Sequence, residues 1–241
     1  MTSCIAKSKH SNIPDQFERI RPWDDEAADC RCLLTKIRWN FDEYLFQADE
    51  DPGIPQQIAR ARPGRRAEFV AGRRCAGQAV RLLMGGDGCG IIGGFPVPNW
   101  PKGIVGAISH SQNFAVALVG RSHRYIGAGI DIEKVLTASE ARDIFLLVLS
   151  ESERKRLETQ ITAFTISLAF SLKESLFKSL PADVQADFGF DACELTTWGR
   201  SGDAILRVTR DLGSHWRAGT EFAAQFLRRE RLLLTRILLE R

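Results

Sequence analysis

The sequence predicts a mixed α/β fold, and three observations carry that prediction. Each half of the chain holds a long helical pattern and several short strand patterns. Clusters of glycine and proline separate the patterns, and no low-complexity segment interrupts them. The chain of 241 residues is also long enough for one large domain or two of about 120, with ample core. A hydrophobic fraction of 44% and a charged fraction of 26% place it with ordinary globular proteins. A net charge of +3 neither demands nucleic acid nor excludes anionic ligands, so local clusters must carry that question. No run approaches the roughly 18 apolar residues of a membrane span. The six cysteines, Cys4, Cys30, Cys32, Cys75, Cys89 and Cys193, lack a zinc spacing and follow no apolar leader. They read as reduced thiols of a cytoplasmic protein.

Residues 1–20 are polar and unpatterned and read as a loose end. Apolar residues among charges from Cys32 to Phe46 suggest one or two short strands, followed by a loop over 47–57 rich in acids, proline and glycine. A helix is expected from about Arg65 to Met84, with Phe69, Ala76, Val80 and Leu83 on one face and Gly85-Gly86 as its stop. Residues 85–103 form a structured loop, because Phe95 and Trp100 need partners. Ile104 to His110 reads as a strand. Phe114–Val119 and Tyr125–Glu133 read as a hairpin across Gly120–Arg124. Capping boxes at Thr137–Glu140 and Ser150–Glu153 predict helices starting near 138 and 151. A longer helix runs from about Ala163 to Leu180, stopped by Pro181, with Ala169, Leu172 and Leu176 as its apolar stripe. The tail reads as strands over 188–195, 204–209, 221–227 and 232–238, although the last two could instead be one helix.

Three stretches carry candidate chemistry. In Gly129-Ile130-Asp131-Ile132-Glu133 a strand would send the isoleucines to a core and both carboxylates to the other side. Two parallel carboxylates repel unless a cation lies between them, and a hard divalent ion suits that gap. The flanking glycines allow another backbone or a ligand to come close. A solvated acidic face is the plainer alternative. Arg60, Arg62, Arg65 and Arg66 crowd the positive end of a helix dipole, which costs stability unless an anion binds there. Arg66 and Arg73 fall on nearly one side, so both could meet one phosphate; a solvated basic patch explains them equally. Glu174 and Lys178 lie one turn apart between Phe170 and Phe177, so a covered acid and ammonium, rather than an exposed pair, is expected there. Ser109-His110 ends a strand close in sequence to the acids.

Taken in order, four blocks make the sequence resemble the phosphopantetheinyl transferases of the siderophore-synthesis (enterobactin) type, relatives of the surfactin type. They are Arg65–Arg73, Trp100-Pro101-Lys102-Gly103 running to Ser109-His110, Gly129–Glu133, and Phe170-Ser171-Leu172-Lys173-Glu174-Ser175-Leu176-Phe177-Lys178. The likeness spans about residues 35 to 200. It implies two similar α/β halves, 21–120 and 121–241, related by a pseudo-twofold, with the site in the crevice between them. It implies transfer of the phosphopantetheine arm of coenzyme A to a serine of an apo acyl, peptidyl or aryl carrier protein, by a monomer, without nucleic acid. By the resemblance, Asp131, Glu133 and Glu174 would hold Mg²⁺, or Mn²⁺. Arg65 or Arg66, Arg73, Ser109 and His110 would hold the nucleotide end of coenzyme A. Lys178 would meet the pyrophosphate, and Lys173 and Lys102 would assist. The carrier serine would lose its proton to Glu174 or to a metal-bound water. Phe170 replaces the tryptophan usual in the surfactin branch. The alternative is a non-catalytic coenzyme A or nucleotide-binding module that has kept the basic pocket.

Overall fold

A computed structural model describes residues 19–20, 22–23, 29–36, 54–85 and 92–241. Of the expected loose end over 1–20, Arg19–Ile20 form a short strand; the rest of it, a second strand near Phe46, most of the 47–57 loop, Gly86 and Cys89 lie outside the described residues. Two antiparallel sheets and the helices on them make a mixed α/β fold.

The first sheet has the order β1-β2-β4-β3, from β1 (Arg19–Ile20), β2 (Cys30–Lys36), β3 (Ile104–Ser111) and β4 (Phe114–Arg121). A short helix α1 (Gln56–Ala59) precedes α2 (Pro63–Met84), which opens with a proline in its first turn and stops at Gly85 with φ of 73°. The apolar stripe of α2, including Ala76, Ala79, Val80 and Leu83, packs on Leu33, Ile104, Ala117 and Val119. The alternate residues of β4, Val116 and Leu118, point the other way and meet Ala128, Ile130 and Ile132. Strand β4 is therefore buried on both faces.

The second sheet has the order β5-β9-β8-β7-β6. Its strands are β5 (Tyr125–Lys134), β6 (Cys193–Trp198), β7 (Asp203–Val208), β8 (Glu221–Arg229) and β9 (Leu232–Glu240). Helices α3 (Ala138–Val148) and α4 (Glu151–Leu157) begin at complete capping boxes on Thr137 and Ser150, as the sequence predicts. Helix α5 (Ala163–Ser179) lies on the sheet with Ala169, Leu172 and Leu176 fully buried, and α6 (Ala182–Gln185) follows Pro181. The tail resolves as strands: β8 and β9 pair with Ala224 opposite Ile237.

One expectation is corrected. Phe114–Val119 and Tyr125–Glu133 do not form a hairpin, because β4 pairs with β2 and β3 while β5 pairs with β9. The hairpin is β3–β4, and the chain between Arg121 and Tyr125 passes from one sheet to the other. Ile130 and Ile132 face Val116 and Leu118 across the sheets rather than beside them, and the two arrangements leave the same apolar alternation in sequence.

The approach of α5 to β5 is unusually close. A Cβ added at Gly127 would meet the Ser179 carbonyl oxygen at 1.9 Å, and one at Gly129 would meet that of Ser175 at 1.8 Å. The glycines of the acidic segment thus admit a helix backbone.

Candidate active site

The site is built where β3, the edge of the first sheet, runs beside β5, the edge of the second. Side-chain alternation puts Asp131 and Glu133 on the face of β5 opposite Ile130 and Ile132. Ser109 and Ser111 of β3 meet them in step: Ser109 Oγ donates to Asp131 Oδ1 at 2.8 Å, and Ser111 Oγ to Glu133 Oε2 at 3.2 Å. From α5, Lys178 Nζ donates to Asp131 Oδ1 at 2.7 Å and to Ser109 Oγ at 3.2 Å. Ser171 Oγ, also from α5, donates to Asp131 Oδ2 at 2.8 Å. Asp131 is only 2% exposed, so each of these contacts is made away from bulk water.

Glu174 lies one turn before Lys178 and is half-buried. Burial raises its carboxyl above the ordinary range; Lys178 opposes the rise and Asp131 adds to it. Glu133 is raised for the same first reason, burial, and then by Asp131, against the Ser111 hydrogen bond. Glu133 and Glu174 therefore both feel the charges of Asp131 and Lys178. The covered face expected around Glu174 exists: Phe170 stacks on Phe190 at 5.4 Å, and Phe177 contacts Phe188 at 6.1 Å.

Beside this cluster, His110 Nε2 lies 2.8 Å from Arg65 Nη1, and His110 Nδ1 lies 3.5 Å from Glu68 Oε2. Burial lowers the His110 pKa, Glu68 opposes, and Arg65 and Lys178 lower it further. A guanidinium only donates, so the neutral ring must accept at Nε2 and carry its proton on Nδ1, toward Glu68. Arg65 and His110 are thus brought together from α2 and β3, with Ser109 next in the strand.

Four sequence candidates are placed differently. Arg73 is buried, its guanidinium donating to the carbonyls of Gly93 at 2.9 Å and Pro96 at 3.3 Å and lying 4.9 Å over the Phe69 ring. It anchors the 92–101 loop, and burial lowers its pKa to about 10. Arg66 is half-buried on α2, one residue from Arg65 and about a quarter-turn round the helix. Lys102 is exposed at the entry to β3, and the rise of a strand puts Ile104 about 17 Å from Ser109, so Lys102 stands at the far end from the acids.

Lys173 is fully buried and turned away from the site. Its ammonium donates to Glu153 Oε2 at 2.6 Å and to the carbonyls of Val148 and Phe190, each at 2.8 Å. The sequence expectation that it assists at coenzyme A is therefore corrected. Lys173 and Lys178 are five residues apart, which places them on different faces of α5.

The sequence reading missed Glu68, Ser111, Ser171 and Thr235. Ser111 was legible as the second member of the Ser109, Ser111 alternation on β3. Ser171 lies inside a quoted block without an assigned task, and nothing in the local pattern marks Thr235.

A metal is a matter of donor chemistry here. Among the described residues no three His, Cys, Asp or Glu side chains stand together closely enough to hold an ion, and the Lys178 ammonium lies against Asp131 Oδ1. The donor set fits a hard divalent cation in kind: it is all carboxylate and hydroxyl oxygen, and burial raises the pKa of both Glu133 and Glu174, a cost that a bound cation would offset.

Residues 55–120 match the model of the 4'-phosphopantetheinyl transferase N-terminal domain, and residues 127–227 match that of the 4'-phosphopantetheinyl transferase superfamily. The chain is 34% identical over 163 residues to enterobactin synthase component D of Escherichia coli (strain K12), covering 66% of this chain and 75% of that protein. It is 32% identical over 181 residues to the 4'-phosphopantetheinyl transferase Svp of Streptomyces mobaraensis, covering 70% and 73%. The transferase Npt of Nocardia iowensis is 29% identical over 167 residues, covering 67% and 72%. With Ser109 of one sheet and Lys178 of α5 meeting on Asp131 of the other, and these likenesses across both, the chain belongs to the 4'-phosphopantetheinyl transferase family.

Proposed function

We propose that the protein transfers the 4'-phosphopantetheine group of coenzyme A to a serine of an apo carrier protein of siderophore, nonribosomal peptide or polyketide synthesis, releasing adenosine 3',5'-bisphosphate. The observation that carries this reading is the convergence of Ser109, Lys178 and Ser171 on Asp131, with Glu133 and Glu174 coupled to it.

Phosphoryl transfer is mostly positioning and charge neutralisation. The serine oxygen attacks the phosphorus that bears the pantetheine, and the bond to the nucleotide's phosphate breaks. Lys178 meets the pyrophosphate and offsets the charge that gathers on the leaving group. Arg65, His110 and Ser109 hold the nucleotide end, with Arg66 beside them, so residues 21–120 contact the nucleotide and residues 121–241 supply the acids. Glu174 takes the serine proton: a half-buried carboxylate whose pKa lies above the ordinary range is a better base than an exposed one. Asp131, Glu133 and Glu174 would hold Mg²⁺, which supplies a Lewis acid for the pyrophosphate oxygens.

Incubation with coenzyme A, Mg²⁺ and a panel of apo carriers, read by intact mass, tests this. A gain of one phosphopantetheine, abolished by EDTA, is expected. No gain on any carrier while coenzyme A still binds would overturn the transferase reading in favour of a binding module.

A further inference from the structure

Behind Asp131, on the side away from Lys178, three hydroxyls stand in a row. Ser171 Oγ lies 2.8 Å from Asp131 Oδ2, Thr235 Oγ1 lies 2.9 Å from Ser171 Oγ, and Ser175 Oγ lies 2.7 Å from Thr235 Oγ1. All three residues are 0% exposed. Thr235 is the register partner of Asp131 on β9, so strand pairing fixes its height, and the close seat of α5 on Gly127 and Gly129 brings Ser171 and Ser175 down to it. Thr235 Oγ1 also lies 2.9 Å from the Ser171 carbonyl, and Ser175 Oγ 3.0 Å from the Thr235 carbonyl.

Alanine or valine would fill these positions without burying hydroxyls, so packing alone does not require them. Each hydroxyl has one proton, and an ionised carboxylate only accepts. Ser171 therefore spends its proton on Asp131. Its own oxygen is left to accept from Thr235, whose proton is shared with the Ser171 carbonyl, and that of Thr235 to accept from Ser175, whose proton is shared with the Thr235 carbonyl. Such a series polarises in one direction, each bond strengthening the next.

We propose that Ser175, Thr235 and Ser171 form a one-way hydrogen-bond chain ending on Asp131, which fixes Oδ2 inward and leaves Oδ1 to Ser109, Lys178 and a bound cation. Ser171 and Thr235 are then positioning residues for the transfer; none of the three touches substrate. The proposal rests on the function above for its catalytic meaning and on the geometry alone for the orientation of Asp131.

Two measurements test it, one without metal. In a metal-free crystal structure of Ser171→Ala, the Asp131 carboxylate is expected to rotate off Ser109. Mn²⁺ affinity, read by electron paramagnetic resonance on the purified full chain, is expected to weaken about ten- to a hundredfold in Ser171→Ala. Thr235→Val is expected to weaken it about threefold, and Thr235→Ser to retain wild-type affinity. An unmoved Asp131 with unchanged Mn²⁺ affinity in Ser171→Ala would overturn the chain, as would Thr235→Ser behaving like Thr235→Val. If wild type binds no Mn²⁺ yet Asp131 rotates in Ser171→Ala, the chain stands and the metal assignment falls. If neither occurs, both fall.

Discussion

Lys178 Nζ and Asp131 Oδ1 are 2.7 Å apart, the lysine from α5 and the aspartate from β5, and Ser109 of the other sheet bonds both. Lys178 is 24% exposed and Asp131 3% by side chain, so the pair offers a cation to the surface over a covered acid. Lys178→Met and Asp131→Asn should each lower the rate of carrier modification at least ~100-fold, the first because charge on the leaving phosphate goes unmatched and the second because Lys178 loses the carboxylate that positions it. Circular dichroism should show both variants folded. Wild-type rates in either variant would remove that residue from the chemistry.

Lys173 gives the opposite prediction. Its partner Glu153 is also fully buried and accepts the backbone N–H groups of Leu195 and Ser150 as well. Lys173→Met leaves that carboxylate buried beside no cation, and should cost about 3–5 kcal/mol of stability by urea unfolding. The KM for coenzyme A of whatever fraction folds should be unchanged. A raised KM in a variant of normal stability would return Lys173 to the binding site.

Gly129→Ala should destabilise the protein by more than ~3 kcal/mol, since the new Cβ would meet the Ser175 carbonyl oxygen at 1.8 Å and the obstacle is backbone on a packed helix. Gly103→Ala is the control: its Cβ would meet nothing within 4 Å, and only the strain of φ 85° remains. Equal melting temperatures for the two would contradict the close approach.

Cys75 and Cys193 are buried, and burial pushes each thiol from its ordinary value of 9.0 to about 12. A neutral thiol is a poor nucleophile, so iodoacetamide at pH 8 should leave both unmodified in native protein and label both in urea, as read by peptide mass. The linkage sign follows from the raised values. Stability from these groups is fully present below the unfolded thiol pKa and is lost as pH climbs from about 9 toward 12, so the urea midpoint should fall over that interval. Labelling of native Cys193 would show that it is reached by solvent.

Much of the site was legible because its residues follow local rules. Alternation alone put Asp131 and Glu133 on one face, capping boxes set the starts of α3 and α4, and helical periodicity gave the buried stripe of α5. What local pattern does not encode is which neighbour an apolar strand faces. Ile130 and Ile132 had to be buried, but whether beside β4 or against it depended on β9, a hundred residues later. The arginines show a second limit. Arg65 and Arg73 are alike in sequence, and the carbonyls of Gly93 and Pro96, supplied by a distant loop, make one of them a brace. Lys173 was misread for the same reason: its carboxylate partner, Glu153, lies on another helix.

Strand β5 does two jobs with a period of two: odd-numbered positions 131 and 133 present the carboxylates, and even-numbered 130 and 132 join the sheets. Parity is therefore a property of the enzyme. Deleting one residue between Gly127 and Ile130, past the irregularity at Ile126, would exchange the sets, sending carboxylates into the joint and isoleucines toward α5. Deleting two would restore the faces but carry Asp131 past Ser109. That segment can vary in composition only where its length is kept, so the spacing from Gly127 to Asp131 is as much a part of the site as the aspartate itself.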